Sequence, residues 1–416
     1  MDNNSLFDRC RVNTNIDDDV FVGISKKDSM YEVSFPLGYH LDYTSEKRMR
    51  KDILSLMSVL SKYSDKKLSE LKTGGKRQKE HSFPVQAYLH IIQNYFENGY
   101  YKEKETLYAN ARRGKIDWSR TIKTQKPVIQ GDEAYYLNFI VKKKSVNENE
   151  LITLVHKYCV YESFDKLGWL FTSFVPQKPA LILSNKRMIS VVNDKLQNTF
   201  NDKNKLLFRS MLDLLKFCND DENTEFKYGT NRFEYIWEKM IDKMFGIEEK
   251  EFYFPKTFWN LEEKGIHENA YLEPDTIMIK DDKVYVLDAK YYKYGWSGAP
   301  GHLPESTSIN KQITYGEYIA EAKKFMKDGK HPVVYNAFIM PYDSKGKTFS
   351  TNKPIHYIGK ATSDWKDGSK EYEQVVGLLM DMRYLMEMSL DEKDQRIYDL
   401  VKLIKESVKT KNGREK

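Results

Sequence analysis

The most regular pattern of apolar and polar positions lies in the second half of the chain. Phe233, Ile236, Trp237, Met240, Ile241 and Met244 recur at the three-to-four spacing of an amphipathic helix over residues 233–245. Residues 252–259 fit a short strand or loop. Residues 275–279 read as a strand, 280–283 as a turn and 284–288 as a second strand, so together they predict a hairpin. Helical periodicity returns over 312–326. Residues 332–340 and 355–359 read as strands, and 372–389 and 394–408 as closing helices. Helix, hairpin, helix, strand, strand, helix predicts an α/β fold, a mixed sheet flanked by helices.

The first half is less uniform. Residues 30–39, MYEVSFPLGY, predict a strand ending in a Pro-Leu-Gly turn, and 53–63 a helix. Residues 71–80 form a basic, glycine-containing stretch. Phe83-Pro84 opens a helix with Tyr88, Ile91, Ile92, Tyr95 and Phe96 on its apolar side. A further helix spans about 148–164; His156 and Cys159 fall on its apolar face and read as core. Residues 204–217 are helical, with Leu206, Leu207, Met211, Leu214 and Leu215 inward. The polar, turn-rich run CNDDENTEFKYG at 218–229 predicts a domain boundary. The expected division is a mixed α+β domain over 1–220 and an α/β domain over 221–416.

A chain of 416 residues with 40% apolar content can bury two or three cores. No apolar run reaches the length of a membrane span, and the polar, acidic start is unlike a secretory signal. A cytoplasmic protein is expected. Cys10, Cys159 and Cys218 are odd in number and far apart, and the eight histidines form no HExxH pair. A metal, if used, is expected to be a hard cation on carboxylates. The net charge of +6 permits a polyanionic partner without requiring one.

Chemistry concentrates in the hairpin. Pro274-Asp275 is followed, after twelve residues, by Asp288-Ala289-Lys290 at the end of the apolar run VYVL. Phosphodiester hydrolysis needs a divalent cation, an activated water and a group that offsets charge on the phosphate. In a strand Asp288 and Lys290 share a face, Ala289 points away and its carbonyl becomes available to a metal, and the hairpin folds Asp275 back beside Asp288. Other D/E-x-K triplets exist: Asp281-Lys283, Glu262-Lys264, Asp328-Lys330 and Asp391-Lys393. Each lies in a polar turn or on a helix surface. The bland alternative for Asp288-Lys290 is an exposed hairpin with a salt-bridged pair. Glu234, on the preceding helix, is placed to reach a metal-bound water or a second metal, and Glu238 one turn on competes with it. Gln312, with Tyr315 at helical spacing, is placed to bond a water or a phosphate.

FEYIWEKM, then PDTIMIKDDKVYVLDAKYY, then QITYGEYI resembles the PD-(D/E)XK nuclease superfamily. Within it the likeness is to McrC, the nuclease subunit of GTP-dependent restriction systems, over roughly residues 230–339. VSFPLGY, FENGYY, RRGKIDWSRTIK and LITLVHKYCVYESF look like the LlaJI family of type II restriction systems. Members of that family are similar to McrC and include a component of the BsuMI system. The resemblance implies metal ligands at Asp275 and Asp288, the catalytic lysine at Lys290 and supporting positions at Glu234 and Gln312. It also implies Mg2+ as cofactor, double-stranded DNA as substrate, an AAA+ McrB-like GTPase or ATPase partner and a companion DNA methyltransferase. The chain has Asp-Ala-Lys where many superfamily members have Glu-x-Lys; either carboxylate binds magnesium.

The chain carries no complete P-loop. Gly346-Lys347-Thr348 has Pro341 where the first glycine belongs, and Thr73-Gly74-Gly75-Lys76-Arg77 fails after its lysine. The N-terminal half is then expected to dock the partner and to contact DNA. RRGKIDWSRTIK at 112–123 mixes cations with Trp118, as a phosphate-contacting patch does, or forms a loop and strand at a domain edge. Two other readings stay open: a stand-alone site-specific endonuclease, and a non-catalytic assembly or specificity subunit that keeps the nuclease fold.

Overall fold

A computed structural model describes residues 5–16, 19–27, 30–63, 84–147, 150–172, 174–218, 227–269, 271–387 and 392–409. Its centre is the hairpin. Strands Thr276–Lys280 and Lys283–Ala289 pair antiparallel, Thr276 against Leu287 through Lys280 against Lys283. The turn holds Asp281 and Asp282 at φ 53° and 56°. Positive φ at both central residues gives the two-residue hairpin turn that matches strand twist, and Asp tolerates that region better than most residues.

Three further strands complete a five-stranded mixed sheet. Val333–Tyr342 runs parallel to Lys283–Ala289, Val375–Asp381 runs parallel to Val333–Tyr342, and Ile355–Ala361 closes the edge antiparallel. Alternation sends Ile277, Val284, Val286, Val334, Phe338 and Val375 to one face, where Ile313, Tyr315 and Ile319 of the Ser306–Glu321 helix meet them. Each such buried side chain contributes roughly 1.5–3 kcal/mol. The helix comes close at Gly316, where a Cβ would lie 2.5 Å from the Asn336 side-chain nitrogen. On the other face Tyr285 stacks on Tyr335, with ring centroids 5.2 Å apart. The Phe233–Phe245 helix buries Phe233, Ile236, Trp237, Met240, Ile241 and Met244 and packs on both hairpin strands.

One expected helix is a strand. VVGLLMD at Val375–Asp381 lies inside the sheet and is buried at every position; only Met382–Met386 after it is helical. A strand covered on both faces is continuously apolar, and periodicity does not separate it from a buried helix. The helix expected at 312–326 begins six residues earlier and ends at Glu321, with a 3-10 turn at Lys323–Phe325. The helix expected at 53–63 likewise begins at Glu46.

The chain divides into two compact units, Met1–Lys79 with Glu225–Lys416, and Glu80–Thr224. A single cut near residue 220 therefore does not describe it: the described residues up to Tyr63 fold with the C-terminal part. Strand Val22–Lys27 pairs with Met30–Phe35 on one side and with Lys227–Thr230 on the other. Leu37 N–H donates to the Tyr291 hydroxyl at 2.8 Å. Gly38, at φ 79°, lets the backbone pass Tyr342, whose nitrogen would be 2.9 Å from a Cβ. Asp52, fully buried, pairs with Arg383.

In the second unit helices Val85–Asn98, Leu151–Leu167, Asn185–Gln197 and Asp202–Phe217 bury Tyr88, Ile91, Ile92, Val155, Cys159 and Phe208. Phe96 and Leu206, expected inward, are 54% and 51% exposed. His156 and Cys159 are core, as their helix face predicts. Strands Glu103–Ala111, Lys115–Ile116 and Phe139–Asn147 form a small sheet, and Val128–Gln130 pairs with Glu133–Tyr135 as a ribbon. RRGKIDWSRTIK is not a plain loop: it holds the short strand Lys115–Ile116 and opens the Trp118–Thr124 helix. Residues 71–80, 148–149, 219–226, 388–389 and 391, on which some sequence expectations fall, lie outside the described residues. No described helix is long and apolar enough to cross a membrane.

Candidate active site

Hairpin register brings the two carboxylates together. Thr276 opposes Leu287, so Asp275 arrives one step further out, opposite Asp288. Residues opposed across a ladder share a face, and this is the face of Ile277, Val284 and Val286 under the Ser306–Glu321 helix. Asp275 Oδ2 accepts the Ala289 N–H at 2.9 Å, which ties the first carboxylate across the hairpin. Asp288 is buried, 7% exposed. Burial, and then the neighbouring Asp288 through a hydrogen bond and like charge, push the Asp275 carboxyl well above the usual carboxylate range. Glu238 adds to that push, and the Ala289 N–H opposes it.

Lys290 Nζ lies 3.0 Å from Asp288 Oδ2. Burial pulls its pKa down, but Asp288 and then Asp275 outweigh that and raise it, so the ammonium stays charged. Its backbone N–H donates to Ile339 O at 2.9 Å, extending the parallel ladder past the strand. Ala289 stands between the two charged residues with its main chain fixed on both sides by these bonds. The geometry thus unites Asp275, Asp288, Ala289 and Lys290.

The supporting positions behave differently. Glu234 pairs with Arg232 Nε at 3.0 Å, and its side chain is 37% exposed. Glu238 is the helix carboxylate whose charge acts on Asp275. Gln312 is fully buried, and its Nε2 donates to Val286 O at 2.7 Å. That bond binds the helix to the strand and uses one of the two amide N–H groups. Oε1, an acceptor, has no described partner. The Tyr315 hydroxyl donates to Glu273 O at 3.3 Å, just before Asp275.

Two lysines escaped sequence reading. Lys250 Nζ donates to the Asp275 carbonyl at 2.5 Å and lies 2.9 Å from Asp242 Oδ2. Lys311 is hydrogen-bonded to Tyr315 and feels Asp288 and Lys290, so a second cation stands near the carboxylates. Its only sequence signal was its place beside Gln312, which says little in a chain with 31% charged residues.

The donor set fits a hard divalent cation. Among the described residues no group of three or more His, Cys, Asp and Glu is placed to hold a metal. Magnesium does not need one: it keeps several waters and binds through one or two carboxylates. Asp275 and Asp288 supply two, at the expense of full ionisation of Asp275, and a cation between them removes that conflict.

Two carboxylates and a lysine thus meet at a strand end of a mixed α/β sheet. The chain belongs to the LlaJI restriction endonuclease family, whose sequence model matches residues 21–363. A type II restriction enzyme BsuMI component, YdjA of Bacillus subtilis (strain 168), is 27% identical over 335 residues, covering 75% of this chain and 68% of that protein. Among solved structures, a half-complex of Thermococcus gammatolerans McrB AAA+ hexamers with bound McrC matches with a TM-score of 0.37 and 16% identity. That match covers 92% of this chain and 82% of the other. The McrBC complex of the same organism matches with a TM-score of 0.22 and 18% identity, over 54% of this chain and 66% of that one.

Proposed function

We propose that the chain is the nuclease component of a multi-subunit type II restriction system, hydrolysing phosphodiester bonds in unmodified double-stranded DNA with Mg2+ as cofactor. One observation carries this reading: Asp275, Asp288 and Lys290 meet at one strand end, where burial and then the neighbouring Asp288 push the Asp275 carboxyl up. We read it as a PD-(D/E)XK site, which the motifs around Asp275 and Asp288-Ala289-Lys290 resemble. Asp275, Asp288 and the Ala289 carbonyl are the groups that would hold the cation. When bound, it polarises the scissile phosphate and lowers the pKa of water.

The chain's own residues supply positioning and charge. Asp275 is aimed by the Ala289 N–H, and Asp288 by burial at the strand end. Lys290, kept charged by both, donates to a phosphate oxygen and offsets negative charge as the phosphorane-like state develops. Gln312 locks the helix over Val286 and offers Oε1 to a water. Glu238 strengthens the local negative potential that draws a cation; Glu234 has the lesser role of ordering Arg232 at the helix start.

Nucleotide hydrolysis belongs to another chain, an AAA+ McrB-like GTPase or ATPase. Gly346-Lys347-Thr348 is followed by irregular chain up to strand Ile355–Ala361, whereas a phosphate-binding loop leads into a helix. A relative named as one component of an enzyme supports the same division of labour. A companion methyltransferase would protect host DNA. The test is cleavage of unmethylated DNA with Mg2+, with and without the cognate ATPase and nucleotide. Cutting only in the complete mixture is expected. Cutting by the chain alone replaces this reading with a stand-alone endonuclease; a complete mixture that cuts equally well with Asp288→Asn makes the chain a non-catalytic subunit.

A further inference from the structure

The net charge of the chain is +6, and residues 101–147 account for all of it. They hold eleven Lys and Arg against five Asp and Glu, and the rest of the chain is balanced. This segment belongs to the second unit and comprises its three-stranded sheet, the Trp118–Thr124 helix and the ribbon. Among its described side chains only Thr121 and Val141 are buried. Arg112, Arg113, Lys115, Lys123, Lys126 and Lys143 are exposed.

Register sets two cations, Lys115 and Lys142, side by side. Lys142 opposes Tyr108 on one neighbouring strand and Lys115 on the other. Like charges held opposite one another across a ladder repel. Asp117 is already engaged: it lies 3.2 Å from Lys142 and caps the Trp118–Thr124 helix through the Arg120 N–H at 3.1 Å. The Arg120 guanidinium lies 3.6 Å from the Tyr108 ring centroid, and Trp118 stands 53% exposed at the helix start. A surplus of exposed cations, interleaved with aromatic rings and held on a surface with little core, is stabilised by an external polyanion.

We propose that this sheet face and its helix are a phosphate-contacting surface for duplex DNA. The inference rests on the nuclease reading above and adds where, outside the cleavage centre, the chain grips its substrate. The ribbon is not part of it. Val128 and Ile129 are 50% and 74% exposed there, beside Asp132 and Glu133, a chemistry that suits a protein partner and repels phosphate.

The test uses the full chain and a labelled 30-base-pair duplex of mixed sequence, in EDTA so that nothing is cut, with binding followed by fluorescence anisotropy across a salt series. Arg112→Gln/Arg113→Gln/Lys115→Gln removes three cations from the face; Lys186→Gln/Arg187→Gln, on exposed positions of the Asn185–Gln197 helix, is the control. Each lost phosphate contact lowers the slope of log K against log salt by about 0.9, so the triple variant is expected to lose between two and three units of slope and about tenfold or more in affinity. The control should keep both. Equal losses in the two variants, or an unchanged triple variant, overturn the inference and leave the nuclease reading intact. An unchanged duplex affinity with loss of binding to the cognate ATPase assigns the face to a protein. Failure of the wild-type chain both to bind duplex and to support its cleavage in the complete mixture sinks the nuclease reading as well.

Discussion

Asp275 in the first unit and His156 in the second are both buried and far from their normal titration ranges, for different reasons. In the first unit burial and the like-charged Asp288 both push Asp275 up. In the second, His156 is fully buried and desolvation alone brings its pKa down to about 4. Its Nδ1 accepts the Tyr101 N–H at 2.8 Å, and the Tyr100 ring meets it edge-on. A perturbed pKa by itself therefore does not mark a site. A like-charged pair is a conflict that a cation resolves, whereas an imidazole whose Nδ1 accepts a backbone N–H and whose shift comes from burial alone presents no such conflict.

The largest expected effect breaks the first member of this comparison. Asp288→Asn should reduce cleavage by about 10³-fold or more, because it removes a proposed metal donor and the partner of Lys290 together. Circular dichroism should show the fold kept, since the amide retains the shape. Activity within tenfold of wild type would place the site elsewhere. His156→Gln, which preserves an acceptor for the Tyr101 N–H, should leave cleavage unchanged.

The next effect is acid sensitivity in the second unit. The folded His156 value of about 4 lies below the ordinary 6.5, so the unfolded chain takes up a proton that the folded core refuses. The contribution is fully present above pH 6.5 and is lost as pH falls from 6.5 to 4. It amounts to about 3 kcal/mol over that window. Hydrogen exchange of the Leu151–Leu167 helix at pH 7 and pH 4.5 measures it, and His156→Gln should flatten the response. An unaltered slope in that variant would show that another group carries the acid sensitivity.

How much of this was legible follows from how local each feature is. Asp275, Asp288 and Lys290 lie within sixteen residues, and period-two alternation with a two-residue turn fixes their faces without distant information. Val375–Asp381 was unreadable by period because it is buried at every position; the β-branched pair Val375-Val376 and Gly377 were the available hints. The joining of the described residues up to Tyr63 to the C-terminal part depends on contacts such as Leu37 with Tyr291, 254 positions apart, which no window contains. Glu234 and Glu238 are one helical turn apart on the same side, so spacing ranks them equally and only the packed helix separates them.

Metal addition sharpens the comparison at a smaller scale. Mg2+ at tenfold above its Kd should stabilise the wild-type chain by about 1.4 kcal/mol through ligand linkage. Differential scanning calorimetry should show this as a rise of a few degrees in the unfolding of the first unit, with the second unit unmoved. Asp275→Asn should raise the metal-free stability of that unit, since it removes the like-charge conflict, and should abolish the rise. A Mg2+ response that survives in Asp275→Asn would mean that the carboxylate pair is not where the cation binds.

The smallest effect discriminates the two helix carboxylates. Glu238 acts on Asp275, whereas Glu234 is engaged with Arg232 and more open to water. A charge beside a desolvated pair acts through a lower dielectric than one at the surface. Glu238→Gln should therefore raise the Mg2+ concentration for half-maximal cleavage by about three- to tenfold, the range of roughly 1 kcal/mol of lost attraction. Glu234→Gln should change it less than twofold. The reverse order would return Glu234 to the site and make the charge of Glu238 incidental. The two substitutions are alike in chemistry and lie on one helix, so the difference between them reports where each carboxylate sits relative to Asp275.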